Sequence, residues 1–288
     1  MKPVVEGHLA LGAAQFAFGL FPVIGTLAFA AGGVDALGLG VWRIAFGSLA
    51  LGGLAVVLHG RASLPKRADL PLVALCAALG VAVNQGLFLT GLSLSTPMNA
   101  GLVMCMIPVF TFAFALMARQ ETFSPRRAAG VLLALAGVAP LVFDDGLSLG
   151  ENGLGNALMV ANAASYAAYL VLSKPLVARY PPLAVTAWAY IGSLWVLPFF
   201  AWNSTMMPST ATAAAAMAYV LIFPTVLGYL ANIYALKRVR ASTTAVYVYV
   251  QPLIAGLGAW ALFSEQPDLA MVGAAGALFL GIGLVSRS

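Results

Sequence analysis

One arginine, Arg43, lies inside an apolar run of the sequence, and it is the only formal charge placed there. A guanidinium in such a setting can grip a carboxylate through two parallel N–H···O bonds. Two quieter roles stand beside that one: the side chain can reach outward to water, or it can pair with Asp35. The other polar side chains within apolar runs are neutral and recur at helical spacing. Asn162, Tyr166 and Tyr169 fall at i, i+4 and i+7, one face of a helix, and Thr225, Tyr229 and Asn232 repeat the spacing. Thr243, Tyr247 and Gln251 make a third stripe, Gln15, Phe18 and Pro22 a fourth, and Asn84 and Gln85 an adjacent pair. Trp188, Tyr190, Tyr229, Tyr247 and Tyr249 read as deep aromatics able to stack on an apolar or aromatic solute. Tyr180, Trp202 and Trp260 sit near segment ends, where aromatic belts form. Each of these residues alone serves interhelical hydrogen bonding equally well. Their convergence from several segments favours a shared cavity, and its neutral amides and rings suit a neutral or zwitterionic solute better than a phosphate.

The same inventory argues against an enzyme. Catalysis needs a nucleophile with a base, or a set of metal ligands, and the apolar runs hold no His, Asp and Glu cluster and no phosphate-cradling glycine loop. The sequence therefore predicts no catalytic residue, no metal and no cofactor. Cys76 and Cys105 lie within apolar runs and read as small buried hydrophobes. A sensor or receptor role is left without a soluble domain to serve it.

The elements that must position these side chains follow from composition. Of 288 residues, 62% are hydrophobic and 8% charged, against about 45–50% and about 25% in globular chains, so the sequence reads as an integral membrane protein. Charges and turn formers cut it into ten apolar segments near 9–31, 37–58, 69–92, 97–118, 126–143, 153–173, 182–202, 212–236, 242–263 and 269–286. Each approaches the roughly 20 residues that span a hydrocarbon core. The first is too long for a signal-peptide core and reads as uncleaved. Every Lys and Arg except Arg43 falls in alternate connections, with Asp35, Asp144, Asp145, Glu151, Glu265 and Asp268 in the others. Basic loops mark the cytoplasmic side, so both termini are expected there, and the net charge of +5 signals topology and not a nucleic-acid partner.

An offset of 144 residues carries Pro108 onto Pro252, Glu121 onto Glu265 and Gly137 onto Gly281, and "WRIAFGSLA" echoes "WAYIGSLWV" at nearly the same offset. The chain thus reads as two five-helix repeats, 1–145 and 150–288. Five being odd, the second runs inverted, an architecture common among secondary transporters with midplane sites. Pro22, Pro108, Pro224 and Pro252 are expected as kinks or hinges lining protein interior, since freed backbone groups cannot face lipid. Glu121 and Glu265 read as helix-end residues, and the glycine-rich fifth and tenth segments as packing helices.

With proline inside the fourth helix of each copy and glutamate just past it ("IPVFTFAFALMARQE", "QPLIAGLGAWALFSE"), and with Trp42-Arg43 opening helix 2, the chain resembles the drug/metabolite transporter superfamily. The resemblance is to the bacterial type with paired EamA domains, and within it to YddG-like aromatic amino acid exporters. Phe18-Gly19 stands where many relatives have Trp-Gly, and no arginine in helix 7 mirrors Arg43. The resemblance implies a multi-pass protein of the bacterial inner membrane, exporting small solutes such as amino acids by alternating access, with a functional monomer allowed. Export of drugs or cationic, amphipathic compounds is the alternative.

Overall fold

Capping chemistry sets several helix starts. Asp35, Thr96 and Thr210 stand in extended backbone ahead of apolar runs, and each side chain accepts a bond from the N–H three residues on, at Gly38, Asn99 and Ala213. Pro97 then takes a first-turn position, where no N–H is needed. The computed structural model describes residues 3–142, 152–236, 238, 247 and 250–286, and all regular structure among them is helical. Thr243, Tyr249 and the acidic stretch at Asp144, Asp145 and Glu151 lie outside the described residues.

In chain order the helices are α1 (Pro3–Ala30), α2 (Ala36–His59), α3 (Leu70–Ala77, then Val83–Ser93), α4 (Pro97–Met104, then Met106–Met117) and α5 (Pro125–Val142). They continue with α6 (Gly153–Val177), α7 (Pro182–Ile191, resumed at Leu197–Ala201), α8 (Ala211–Ile222, then Gly228–Leu236), α9 (Gln251–Phe263) and α10 (Leu269–Ser286). Seven helical stretches among the described residues are long and apolar enough to cross a membrane, and three shorter apolar helices accompany them. Large apolar side chains stay in the open on their outer faces, Val57 at 80%, Phe199 at 69% and Leu257 at 65% exposure. Such a surface suits lipid and would aggregate in water. The chain is a multi-pass membrane protein. Its first helix starts at Pro3, earlier than the sequence pattern indicated, which draws Glu6 and His8 into it.

The four marked prolines do different things. Proline removes one N–H and crowds the carbonyl four residues back. Around Pro22 the helix simply continues. Before Pro108 α4 stops at Met104, the residue whose carbonyl the ring would meet, and restarts at Met106. Pro252 lies in the first turn of the described α9, so there it begins a helix and does not kink one. Pro224 sits in a π-helical turn, Phe223–Leu227, that interrupts α8. A second π turn, Ala78–Ala82, interrupts α3 without any proline. The two turns are 145 residues apart, close to the offset of the sequence repeat.

Two helix ends also match across that offset. After α4 the Glu121 N–H reaches back to the Ala115 carbonyl, and after α9 the Glu265 N–H reaches the Ala259 carbonyl. Both are six-residue closures of the kind that follows a left-handed residue, here Arg119 and Ser264. The backbone of Glu265 therefore ends its helix as expected. Its carboxylate goes elsewhere, accepting bonds from the Thr96 hydroxyl and the Met98 N–H at the start of α4.

Small residues bring the helices together. A Cβ on Gly281 of α10 would stand 2.5 Å from the Gly130 carbonyl oxygen and 2.9 Å from the Ala134 Cβ of α5, so these two helices touch almost backbone to backbone. Neither contributes a polar residue to the interior, in keeping with a packing role.

Candidate functional site

Arg43 is 6% exposed and turned into the bundle. Its position begins with Pro224. Because that ring has no N–H, the Val220 carbonyl is left to the Thr225 hydroxyl, which donates to it at 2.7 Å. The same hydroxyl oxygen then accepts from Arg43 Nε at 3.0 Å. The guanidinium lies over the Phe21 ring, 4.2 Å from its centroid. The Tyr190 hydroxyl is in hydrogen-bonding reach of it and Tyr229 stands beside it. Among the described residues no carboxylate pairs with Arg43. Asp35, the partner considered from sequence, is spent at the mouth of α2, accepting from the backbone N–H groups of Gly38 and Thr205.

Around the charge the rings form a cage. Tyr190 meets Tyr229 edge-on at 6.2 Å, Phe18 meets Tyr229 edge-on at 5.6 Å, and Phe21 packs on Phe88 at 5.0 Å. Glycines seat three of the rings. A Cβ on Gly47, one turn beyond Arg43, would come 2.5 Å from the Tyr190 ring; one on Gly228 would come 2.9 Å from Phe18, and one on Gly80 would come 2.6 Å from Tyr169. Tyr169 in turn packs against Tyr166 at 5.6 Å, and Tyr166 lies within electrostatic reach of Tyr190 and Tyr229.

The amides from the stripes and the Asn84-Gln85 pair converge less completely. Asn162 Nδ2 donates to the Asn84 carbonyl at 2.8 Å, an interhelical bond of the ordinary kind, and Gln251 Nε2 donates to Gln15 Oε1. Yet Asn162 Oδ1, Gln85 Oε1, Gln15 Nε2 and Asn232 Oδ1 are buried with no protein partner. Each such atom costs about 1–3 kcal/mol if nothing else satisfies it. Buried atoms of that kind mark a polar interior open to a hydrogen-bonding guest.

A cation in a ring cage, flanked by amides and enclosed by lipid-facing helices, is a solute site without reaction chemistry, and sequence comparison agrees. The EamA-like transporter family matches residues 6–143 and again 153–287. This chain belongs to the EamA-like transporter family. An uncharacterized transporter of Archaeoglobus fulgidus is 30% identical to it over 67% of this chain and 68% of its own. A probable terminal-alkyne amino-acid exporter of Streptantibioticus cattleyicolor is 29% identical over 88% of this chain and 85% of its own. A solved crystal structure with 20% sequence identity superposes with a TM-score of 0.63, covering 94% of this chain and 95% of the other, which shows a shared fold.

In this EamA-like transporter, Gln15, Phe18, Arg43, Asn84, Gln85, Asn162, Tyr166, Tyr169 and Tyr229 thus come together, and Asn232 and Gln251 flank them. Two of the aromatics read as deep lie elsewhere. The Trp188 indole donates to the Ser63 carbonyl at 2.7 Å, in the basic loop before α3, and meets Tyr180 edge-on. Tyr247 bonds His8 near the start of α1, its hydroxyl 2.9 Å from Nδ1. Both fasten the end of the bundle that carries the basic loops, as do Tyr234 on Glu6 and Arg179 on Asp69. Phe21, Phe88 and Tyr190 are the cage members that helical spacing of polar residues did not single out. For Phe21 the available signal was its place one turn from Phe18 and beside Pro22.

Proposed function

We propose that this protein is a secondary transporter that exports small carboxylate-bearing solutes, neutral and aromatic amino acids foremost. It works by alternating access around Arg43. The observation that carries the reading is a buried guanidinium, held by Thr225 and ringed by Phe21, Tyr190 and Tyr229, with no carboxylate of the described chain beside it. An ion buried without a partner is costly, and a solute carboxylate would relieve that cost during each cycle. The relative named as an amino-acid exporter supports the same solute class. A buried cation at the centre repels cationic drugs, so the alternative export of such compounds is disfavoured.

In this reading the ten helices cross the membrane as two inverted repeats, 1–145 and 150–288. The matched π turns and the matched Glu121 and Glu265 closures support that arrangement. Both termini are cytoplasmic, by the basic loops, and the protein works as a monomer in the bacterial inner membrane. The test is counterflow of labelled amino acids in proteoliposomes containing only this protein. Uptake that disappears in Arg43→Met, while the folded yield holds, is the expected result. Uptake unchanged in that variant, or no movement of any carboxylate solute by the wild-type protein, would sink the proposal.

A further inference from the structure

Resting on that reading, we propose that the site also reads the far end of its solute, preferring amino acids whose side chain ends in an N–H or O–H donor. Two acceptors face the interior from the wall formed by α3 and α6. Asn162 is 1% exposed and Gln85 3%. The orientation of Asn162 is fixed, because its Nδ2 donates to the Asn84 carbonyl and a carbonyl can only accept; Oδ1 is therefore the end left over. Gln85, the next residue after Asn84 on α3, presents Oε1 unpartnered as well. Neither acceptor can be satisfied by a second carboxylate or by an aliphatic tail. Each needs a donor.

Where that donor lies relative to the carboxylate follows from the ring contacts. From Arg43 the path runs 4.2 Å to the Phe21 centroid and 5.0 Å on to Phe88, which lies one helical turn from Asn84 and Gln85 on α3. On the other side, Tyr166 bridges from the Tyr190 and Tyr229 pair to Asn162, one turn away on α6. The cation and the acceptors are thus separated by two ring contacts, on the order of 10 Å at 4.5–7 Å each. That is too far for the carboxylate and the ammonium of one α-carbon, which are direct neighbours. It matches a carboxylate and a donor at the far end of an aromatic side chain, as in tyrosine or tryptophan. The rings between them are the surface such a side chain would stack on.

A site with buried acceptors rejects a solute lacking the donor far more strongly than a merely apolar pocket does. The experiment is competition against labelled tyrosine counterflow in proteoliposomes of the full chain, with phenylalanine against tyrosine and 1-methyltryptophan against tryptophan as the donor-lacking and donor-bearing pairs. In the wild-type protein the donor-bearing member of each pair should compete about tenfold better or more. In Gln85→Met or Asn162→Leu that ratio should fall to within about threefold of unity, with phenylalanine competing much as before. The ratio is internally normalised, so a loss of folded protein scales both members and leaves it unmoved. Should Asn162→Leu not fold, Gln85→Met decides alone, since Asn162 and not Gln85 carries the bond to Asn84. Equal competition within both pairs in the wild-type protein overturns the inference, as does a ratio unchanged in the variants or the absence of competition by either pair. If those results come with counterflow that still depends on Arg43, the carboxylate reading stands without this extension. Counterflow indifferent to Arg43→Met overturns both.

Discussion

At 78–82 the π turn of α3 places Gly80 beneath the Tyr169 ring and leaves the Leu79 carbonyl to the Ser165 hydroxyl at 2.7 Å. At 223–227 the π turn of α8 contains Pro224, leaves the Val220 carbonyl to Thr225, and through Thr225 holds Arg43. The backbone device is common to the two halves: an extra residue in one turn, and a neighbouring hydroxyl on the carbonyl that the turn frees. The electrical use differs. One half aims a cation into the interior, while the other aims neutral amides and a tyrosine. A repeat that keeps its backbone and changes its side chains can build a polar, two-ended site from a symmetric scaffold, and π turns are a frequent place for such sites.

The charged half can be broken first. Arg43→Met should lower counterflow of carboxylate solutes about 100-fold, the scale of a charge-assisted pair. Thermal unfolding should show stability unchanged or increased, because an unpaired buried charge has been removed. Gly47→Ala should come next. The new methyl displaces the Tyr190 ring beside Arg43, and a shift of a few tenths of an ångström to 1 Å at the site predicts about a tenfold fall in uptake. Gly80→Ala strains its own ring as much, but away from the cation. If Gly80→Ala reduces uptake of small aliphatic amino acids as deeply as Gly47→Ala does, the division between the halves is wrong.

Thr225→Val tests the turn itself. It orphans the Val220 carbonyl and one Arg43 donor, and should cost about 1–3 kcal/mol in unfolding free energy, whereas Thr225→Ser should restore most of it. Ser165→Ala at the other turn should cost about 1 kcal/mol, since only one neutral bond is lost. The smallest effect expected lies outside the membrane-spanning helices, at Glu265. Burial raises its carboxyl above the ordinary value of 4.5, with the bonds from Thr96 and Met98 offsetting part of the rise. The folded protein then binds a proton that the unfolded chain has lost, so between those two values stability falls as pH rises. Unfolding followed against pH should show that slope in the wild-type protein and a shallower one in Glu265→Gln.

Much of the scaffold could be read from residue types alone. The caps at Asp35, Thr96 and Thr210, the apolar runs between them and the matched prolines and glutamates are local signals, and they reappear as helix starts, breaks and closures. Arg43 was legible for a similar reason: one charge in an apolar run must be answered by something. The cage around it was not, because Phe21 and Tyr190 come from helices far away in sequence and nothing local distinguishes a ring on a guanidinium from a ring in a core. Depth was misjudged for Trp188 and Tyr247, whose polar atoms find partners in Ser63 and His8 that only the folded chain brings near. The π turn at 78–82 has no proline to announce it. Its place could be reached only through the one at 223–227 and the repeat that relates them.

The rings around the site rest on glycine, at 47 under Tyr190, at 80 under Tyr169 and at 228 under Phe18. Evolution therefore has three positions at which a single methyl group would push an aromatic wall inward while leaving every hydrogen bond of Arg43 and the amides in place. Descendants of this sequence could narrow their cargo range in small steps, each step reversible and none requiring a new polar contact.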